Sequence, residues 1–114
     1  MSHLSILPTV IRDASQLAAS LEDLGFQPIL GGVITGFAGE AIAVELRVLA
    51  DRDQPLGWQR QADGSLGLVG DLQRLSRSLP LQQLIGQITH RYALRMALNE
   101  AMEHLPMATL HPAS

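Results

Sequence analysis

The stretch AIAVELRVLADRDQPLGWQRQADGSLGLVGD, residues 41–71, decides the fold. Its first part, Ala41 to Ala50, has Ile, Val, Leu and Val at alternate positions, with Ala, Glu, Arg and Leu between them. That period of two predicts a strand with one face in the core and one in water. Further along, Asp63-Gly64 separates the strand-like runs Leu56 to Gln61 and Ser65 to Gly70, which indicates a hairpin with a type I′ turn. The stretch therefore predicts three consecutive antiparallel strands.

Two shorter strands are predicted nearer the N-terminus. His3 to Leu7 is apolar and weakly alternating, and Pro8 predicts that this strand lies at a sheet edge or ends there. Phe26 to Leu30 is a short apolar run, and Pro28 inside it is typical of an edge strand.

A helix of about three turns is predicted between these two strands. Asp13 has the chemistry of a helix N-cap, and Gln16 three residues later forms half of a capping box. One apolar stripe follows at helical spacing, made of Leu17, Leu21 and Leu24. Gly25 then supplies the left-handed residue that ends the helix.

A second, longer helix is predicted after residue 80, from about Leu81 to about His104, whereas the state of the preceding segment, Leu72 to Pro80, is left open. Its first half keeps one apolar face, made of Leu81, Leu84, Ile85, Ile88 and Tyr92. From Ala93 to Met102, apolar residues occur on more than one face, so this half either lies deep in the fold or meets a partner. Pro106 ends the helix, and Met107 to Ser114 is predicted to be a loose tail.

These elements predict an α+β fold in the order β-α-β-β-β-β-α. We expect an antiparallel sheet of about four to five strands with two helices, the longer C-terminal one packed on one face. A parallel dinucleotide-binding sheet would need strands and helices in alternation. The 114 residues predict one domain over residues 1–106 and a tail over residues 107–114.

Composition excludes several classes of protein. The chain has no Cys, which excludes disulfides, Cys-ligated zinc, iron–sulfur ligation and thiol catalysis. No segment approaches the ~20 consecutive apolar residues of a membrane helix, and the N-terminus lacks the positive charge of a signal peptide. The net charge is −3, acidic residues are interspersed among the eight Arg, and only four aromatic residues could stack on bases, which argues against nucleic-acid binding. We expect a soluble intracellular protein.

The residue types that carry chemistry do not form a recognisable catalytic or metal-binding pattern. The candidates are four histidines and four carboxylates: His3, His90, His104, His111, Asp51, Asp53, Asp63 and Asp71. The histidines lack the spacing of zinc ligands, Asp63 belongs to the predicted turn, and Asp71 can cap the turn that follows its strand. The Gly31 to Gly39 segment lacks the Lys of a phosphate-binding loop and precedes a strand, so it is predicted to be a flexible loop. We expect a binding protein rather than an enzyme, with no metal and no cofactor.

Two binding hypotheses follow from this elimination. The first is an adaptor that binds a partner protein through the sheet edge or through the C-terminal helix, where the candidate residues are Arg91, Leu94, Arg95 and Leu98. The alternative is that this helix packs across the sheet as the core helix and has no role in partner binding. The second hypothesis is a groove for a small ligand between sheet and helix, with Trp58, Tyr92 and Arg residues at its mouth.

A series of short motifs also resembles a known family. The motifs run in order through most of the chain: Met1 to Ile6, Thr9, Ile11, Asp13, Leu17, Leu21, Leu24-Gly25, Gly36 to Gly39, Leu56-Gly57-Trp58, Asp63-Gly64, Leu68-Val69, Asp71 and Arg91-Tyr92-Ala93. Together they resemble the cyanobacterial and plastid family named for hypothetical chloroplast reading frame thirty-five, a domain of unknown function. The resemblance implies a cytoplasmic or plastid-stromal protein, with a loose association to genes for an ATPase and a ferredoxin as a hint of its partner.

The chain departs from that family's pattern at two places. Leu72-Gln73 follows Asp71 where the family has an aromatic pair, and Leu7-Pro8 stands where the family has lysines in its first strand. A function that depends on those positions would be lost or changed here.

Overall fold

The computed structural model describes residues 4–36, 39–50 and 55–104. Its strands are β1 (Leu4–Leu7), β2 (Ile29–Leu30), β3 (Val33–Thr35), β4 (Ala41–Ala43), β5 (Leu46–Leu49), β6 (Pro55–Arg60) and β7 (Leu66–Asp71). Its helices are α1 (Ala14–Asp23), α2 (Leu72–Arg77) and α3 (Leu79–His104). The predicted tail over residues 107–114 lies outside the described residues.

Five strands form one antiparallel sheet in the order β1-β7-β6-β5-β2, and this confirms the predicted α+β class. The two strands predicted to be edges, β1 and β2, are the edges. Across the middle of the sheet, Leu46, Trp58, Leu68 and Leu7 lie opposite one another in register. This row faces α1 and α3 and joins their apolar residues in the main core, where Trp58 is only 2% exposed.

The opposite face of the sheet is covered by a hairpin that the sequence did not predict. Strands β3 and β4 pair with each other, and Ile34 and Val44 pack with Val69 in a second core cluster. Gly57 in β6 permits this approach, since a Cβ there would lie 2.7 Å from Val44 and 2.8 Å from Ile34. Within the segment predicted as a flexible glycine loop, Val33 to Thr35 therefore form a strand.

The single strand predicted over Ala41 to Ala50 is split into β4 and β5. The break falls between Val44 and Glu45. Val44 donates its N–H to the carbonyl of Gly32, just before β3, whereas Glu45 donates its N–H to the carbonyl of Trp58 in β6. The chain thus passes from the small sheet to the large one at this point. The alternating apolar residues consequently enter two cores, with Val44 in the second cluster and Leu46 in the main one.

The predicted helix α1 is confirmed, together with both of its end signals. The carboxylate of Asp13 accepts hydrogen bonds from the N–H groups of Ser15 and Gln16, and Gly25 has φ of 92°. The capping box is not completed by Gln16. The N–H of Asp13 donates instead to the hydroxyl of Tyr92 in α3.

The segment left open by the sequence contains the short helix α2. Asp71 caps it by accepting from the N–H groups of Gln73 and Arg74, which confirms the predicted capping role. Leu75 on this helix is buried in the main core.

The turn between β6 and β7 confirms the predicted hairpin but not its loop type. Gln61 donates its N–H to Ser65, and Gly64 donates to Gln61, so three residues rather than two form the loop. Gly64 has φ of 88°, a conformation that Gly adopts without strain.

Candidate functional site

The burial of α3 changes along its length. Leu81, Ile88 and Tyr92 are buried in the main core, and Met96 is partly buried against it. Every residue from Ala97 to His104 is exposed. At about 1.5 Å per residue, the exposed end extends by roughly two turns from the body of the domain.

A line of large, exposed apolar side chains begins at Leu94 and continues into the exposed end of α3. Leu94 is 41% exposed, Leu98 is 55% exposed and Met102 is 59% exposed. Because they are four residues apart, they lie one above another on the helix surface, and we call them the α3 stripe. Ala97 and Ala101, which are also exposed, widen this surface on one side.

The α3 stripe faces a different direction from the buried side of the same helix. With about 100° per residue, it lies roughly 100° around the helix from the line of Leu81, Ile88 and Tyr92. The line that packs on the core continues beyond Tyr92 into Asn99 and Glu103, which are polar and exposed. The domain therefore covers one face of α3 with its own core and leaves the stripe uncovered within the described residues.

The two arginines predicted for partner binding are held by an aspartate in α1. Arg95 donates to Asp23 from Nε at 2.7 Å and from a terminal nitrogen at 2.9 Å, and Arg91 donates from Nε at 2.9 Å. The hydrogen bonds from Arg95 and then Arg91 hold the pKa of Asp23 far below its usual range. Of the four predicted residues, Arg91 and Arg95 thus fasten α3 to α1, while Leu94 and Leu98 lie in the stripe.

The candidate carboxylates that the structure describes have local structural roles. Asp63 accepts from the N–H and the hydroxyl of Ser65, bonds that lower its pKa, and Asp71 caps α2. Asp51 and Asp53 lie outside the described residues.

The described histidines lie on the exposed surface of α3. His90 and His104 are both exposed, while His3 and His111 lie outside the described residues. Within residues 4–36, 39–50 and 55–104, no group of three His, Cys, Asp or Glu side chains is arranged to hold a metal ion. Over the same ranges, no helix combines the length and hydropathy needed to cross a membrane.

The space predicted as a ligand groove between sheet and helix is filled at Trp58. Trp58 is 2% exposed, so its ring does not lie at an open mouth. Tyr92, which is 5% exposed, does line a shallow open cavity of about 660 Å³, together with Arg12 and Arg60. Both arginines already donate to groups of the protein: Arg12 to the carbonyl of Asp63 and Arg60 to Glu45.

A second exposed apolar region, which sequence reasoning missed, lies at the β2 edge of the sheet. Ile29, Val33, Leu49 and Pro55 line a cavity of about 150 Å³ together with the half-buried Arg47. We call it the sheet-edge cavity. The alternation in residues 41–50 predicts that Leu49 lies beside Arg47 on the solvent-facing side of the strand. A large apolar residue on that side is the sequence signal that indicates an exposed apolar region here.

The fold and these surfaces define a small α+β domain with a long helix whose end leaves the core. The chain belongs to the family of proteins of unknown function designated DUF1257, whose sequence model matches residues 20–105. That match spans Asp23, Arg47 and the whole α3 stripe. No curated protein and no solved structure matches the chain.

Proposed function

We propose that this protein is a non-catalytic accessory or adaptor module that binds a partner protein through the α3 stripe. The observation that carries the proposal is the exposure of Leu94, Leu98 and Met102 in one line on a helix whose core-facing side is elsewhere. Contiguous exposed apolar surface on a folded domain commonly marks an interaction site. A helix that presents apolar residues at spacings of three and four is suited to docking in a partner's groove.

Burial of the α3 stripe by a partner would contribute substantially to the free energy of binding. Complete burial of a Leu or Met side chain contributes roughly 1.5–3 kcal/mol. Since the three side chains are about half exposed, a partner that covers them gains on the order of 3 kcal/mol. The bonds from Arg91 and Arg95 to Asp23 fix the helix before binding, which lowers the entropic cost of ordering it.

The roles of the described carboxylates support a non-catalytic module. Asp13 and Asp71 cap helices, Asp23 joins two helices, and Asp63 closes a turn. We propose that the partner belongs to a cyanobacterial cytoplasm or plastid stroma, and that an ATPase or a ferredoxin-linked system is the first place to look. The support for that choice is the resemblance to the plastid reading-frame family.

The test is an affinity capture from lysate of a cyanobacterial host, with the bound proteins quantified by mass spectrometry. We expect one partner at stoichiometric yield with the unaltered protein and at least a tenfold lower yield with Leu94→Asp or Leu98→Asp. Gln83→Asp is the matched control, because it adds the same charge to an exposed position of α3 about three turns before the stripe. Equal capture by all variants with unchanged folding would contradict the proposal.

A further inference from the structure

The sheet-edge cavity is lined by residues of four strands. Arg47 and Leu49 come from β5, and Pro55, which lies opposite Leu49, comes from β6. Ile29 of β2 lies opposite Arg47, and β3 contributes Val33, Ile34 and Thr35.

We propose that this cavity receives an acidic side chain from an extended segment of a partner protein. The carboxylate would pair with Arg47, and the apolar neighbours of the acidic residue would cover Ile29, Val33 and Leu49. This site is separate from the α3 stripe and does not depend on the function proposed for that helix.

Arg47 is held in place by the turn between β2 and β3. Its Nε donates to the carbonyl of Gly31 at 3.0 Å, and its side chain lies over Gly32 where a Cβ would collide with it. The turn itself is tied down, since Gly31 donates its N–H to Glu45 and Gly32 accepts from Val44. The guanidinium is therefore positioned before any ligand arrives.

The positive charge of the cavity favours an anionic ligand. Arg47 is the only charged side chain among the described residues that line it, and its two terminal nitrogens make no hydrogen bond to a described residue. A half-buried guanidinium gains most from a carboxylate that accepts two parallel N–H bonds. A single cation, with Thr35 as the one other polar side chain of the lining, suits one carboxylate better than a polyphosphate or a nucleic acid, which are bound by several cations together.

The shape of the edge favours an extended chain. Strand β2 is only two residues long and pairs only with Leu46 and Arg47 of β5. Exposed apolar side chains flank it, with Ile29 at 45%, Val33 at 51% and Leu49 at 58% exposure. Open sheet edges are common docking places for extended peptides, which place alternate side chains into pockets.

A phage-displayed library of random heptapeptides tests the proposal, selected in parallel on the folded protein, on two test variants and on one control variant. Arg47→Glu reverses the charge of the cavity. Leu49→Asp supplies an internal carboxylate beside Arg47 without removing the bond to Gly31. Arg77→Glu is the matched control, since it makes the same charge change at an exposed position on α2.

We expect the unaltered protein and the Arg77→Glu control to enrich one Asp or Glu flanked by Val, Ile or Leu. The Arg47→Glu variant is expected to enrich Lys or Arg instead, and Leu49→Asp to bind the acidic peptides at least tenfold more weakly. Circular dichroism and thermal unfolding establish that each variant is folded. Selection of no acidic motif by the unaltered protein, or of the same motif by a folded Leu49→Asp variant, overturns the proposal.

Discussion

The hydroxyl oxygen of Tyr92 in α3 lies 3.0 Å from the backbone nitrogen of Asp13, the residue that caps α1. It accepts a second hydrogen bond, also of 3.0 Å, from the N–H of Arg12. At the other end of α1, Asp23 binds Arg91 and Arg95 of the same α3 segment. Both ends of the ten-residue helix α1 are thus bound by side chains from about one turn of α3. The exposed half of α3 begins directly beyond this junction.

The first prediction concerns the hydroxyl of Tyr92. Tyr92→Phe keeps the buried ring but leaves the N–H groups of Arg12 and Asp13 without their acceptor. We expect a loss of about 1–2 kcal/mol in the free energy of unfolding, measured by urea denaturation, because unsatisfied backbone donors are costly. A variant as stable as the unaltered protein would show that water replaces the hydroxyl at no cost.

The second prediction is a pH dependence that originates at Asp23. Its folded-state pKa lies below the unfolded value of about 3.9, so its contribution to stability is present above that pH and is lost as the pH falls below it. We expect Asp23→Asn to lower the thermal midpoint at pH 7 and the difference from the unaltered protein to narrow as the pH decreases below about 4. Glu103→Gln, on the exposed end of α3, is the control. A difference that stays constant from pH 7 to pH 2 would exclude the ionic origin.

The third prediction compares two glycines. Gly86 lies on the exposed surface of α3, and a Cβ there would meet no atom within 4 Å. Gly86→Ala is therefore expected to raise the free energy of unfolding by about 0.5–1 kcal/mol, since Ala is the better helix former. Gly57→Ala should instead lower it, because the added methyl group collides with Val44 and Ile34. Stabilisation by both substitutions would contradict the placement of the β3–β4 hairpin.

The fourth prediction tests where α3 leaves the core. Ile88 is 2% exposed, so Ile88→Ala should cost about 2–5 kcal/mol of unfolding free energy through loss of burial and a residual cavity. Leu98 is 55% exposed, so Leu98→Ala should change that free energy by no more than about 0.5 kcal/mol. Chemical denaturation of the two variants under one condition provides the comparison, and a large loss for Leu98→Ala would show that the stripe packs against the domain itself.

The sequence predicts the elements of this fold better than their connections. Asp13 and Gly25 mark the ends of α1, and Asp63-Gly64 marks the hairpin, because each of these signals acts within a few residues. The division of residues 41–50 between two sheets is not visible in the alternation of Val44 and Leu46. It depends on contacts with Gly32 and Trp58, which are distant in sequence.

The candidate site is likewise only partly predictable from the sequence. The apolar excess in the second half of α3 is a sequence signal, and Leu94 and Leu98, which form part of it, are exposed in the structure. The ionic partner of Arg91 and Arg95 is a tertiary contact with Asp23, which no spacing along α3 reveals. The sheet-edge cavity likewise arises only when β2, β3 and β5 come together around Arg47.

Site-specific photo-crosslinking from the exposed end of α3 in host lysate tests directly whether a partner protein docks on the α3 stripe. A photoreactive residue in place of Leu98 should form a crosslink to one partner protein, and the same residue in place of Glu100 should not. The two positions are about 200° apart around the helix, and both are exposed. A single crosslinked partner obtained from Leu98 and not from Glu100 would establish the α3 stripe as the docking surface. Equal crosslinking from both positions, or none from either, would contradict the account.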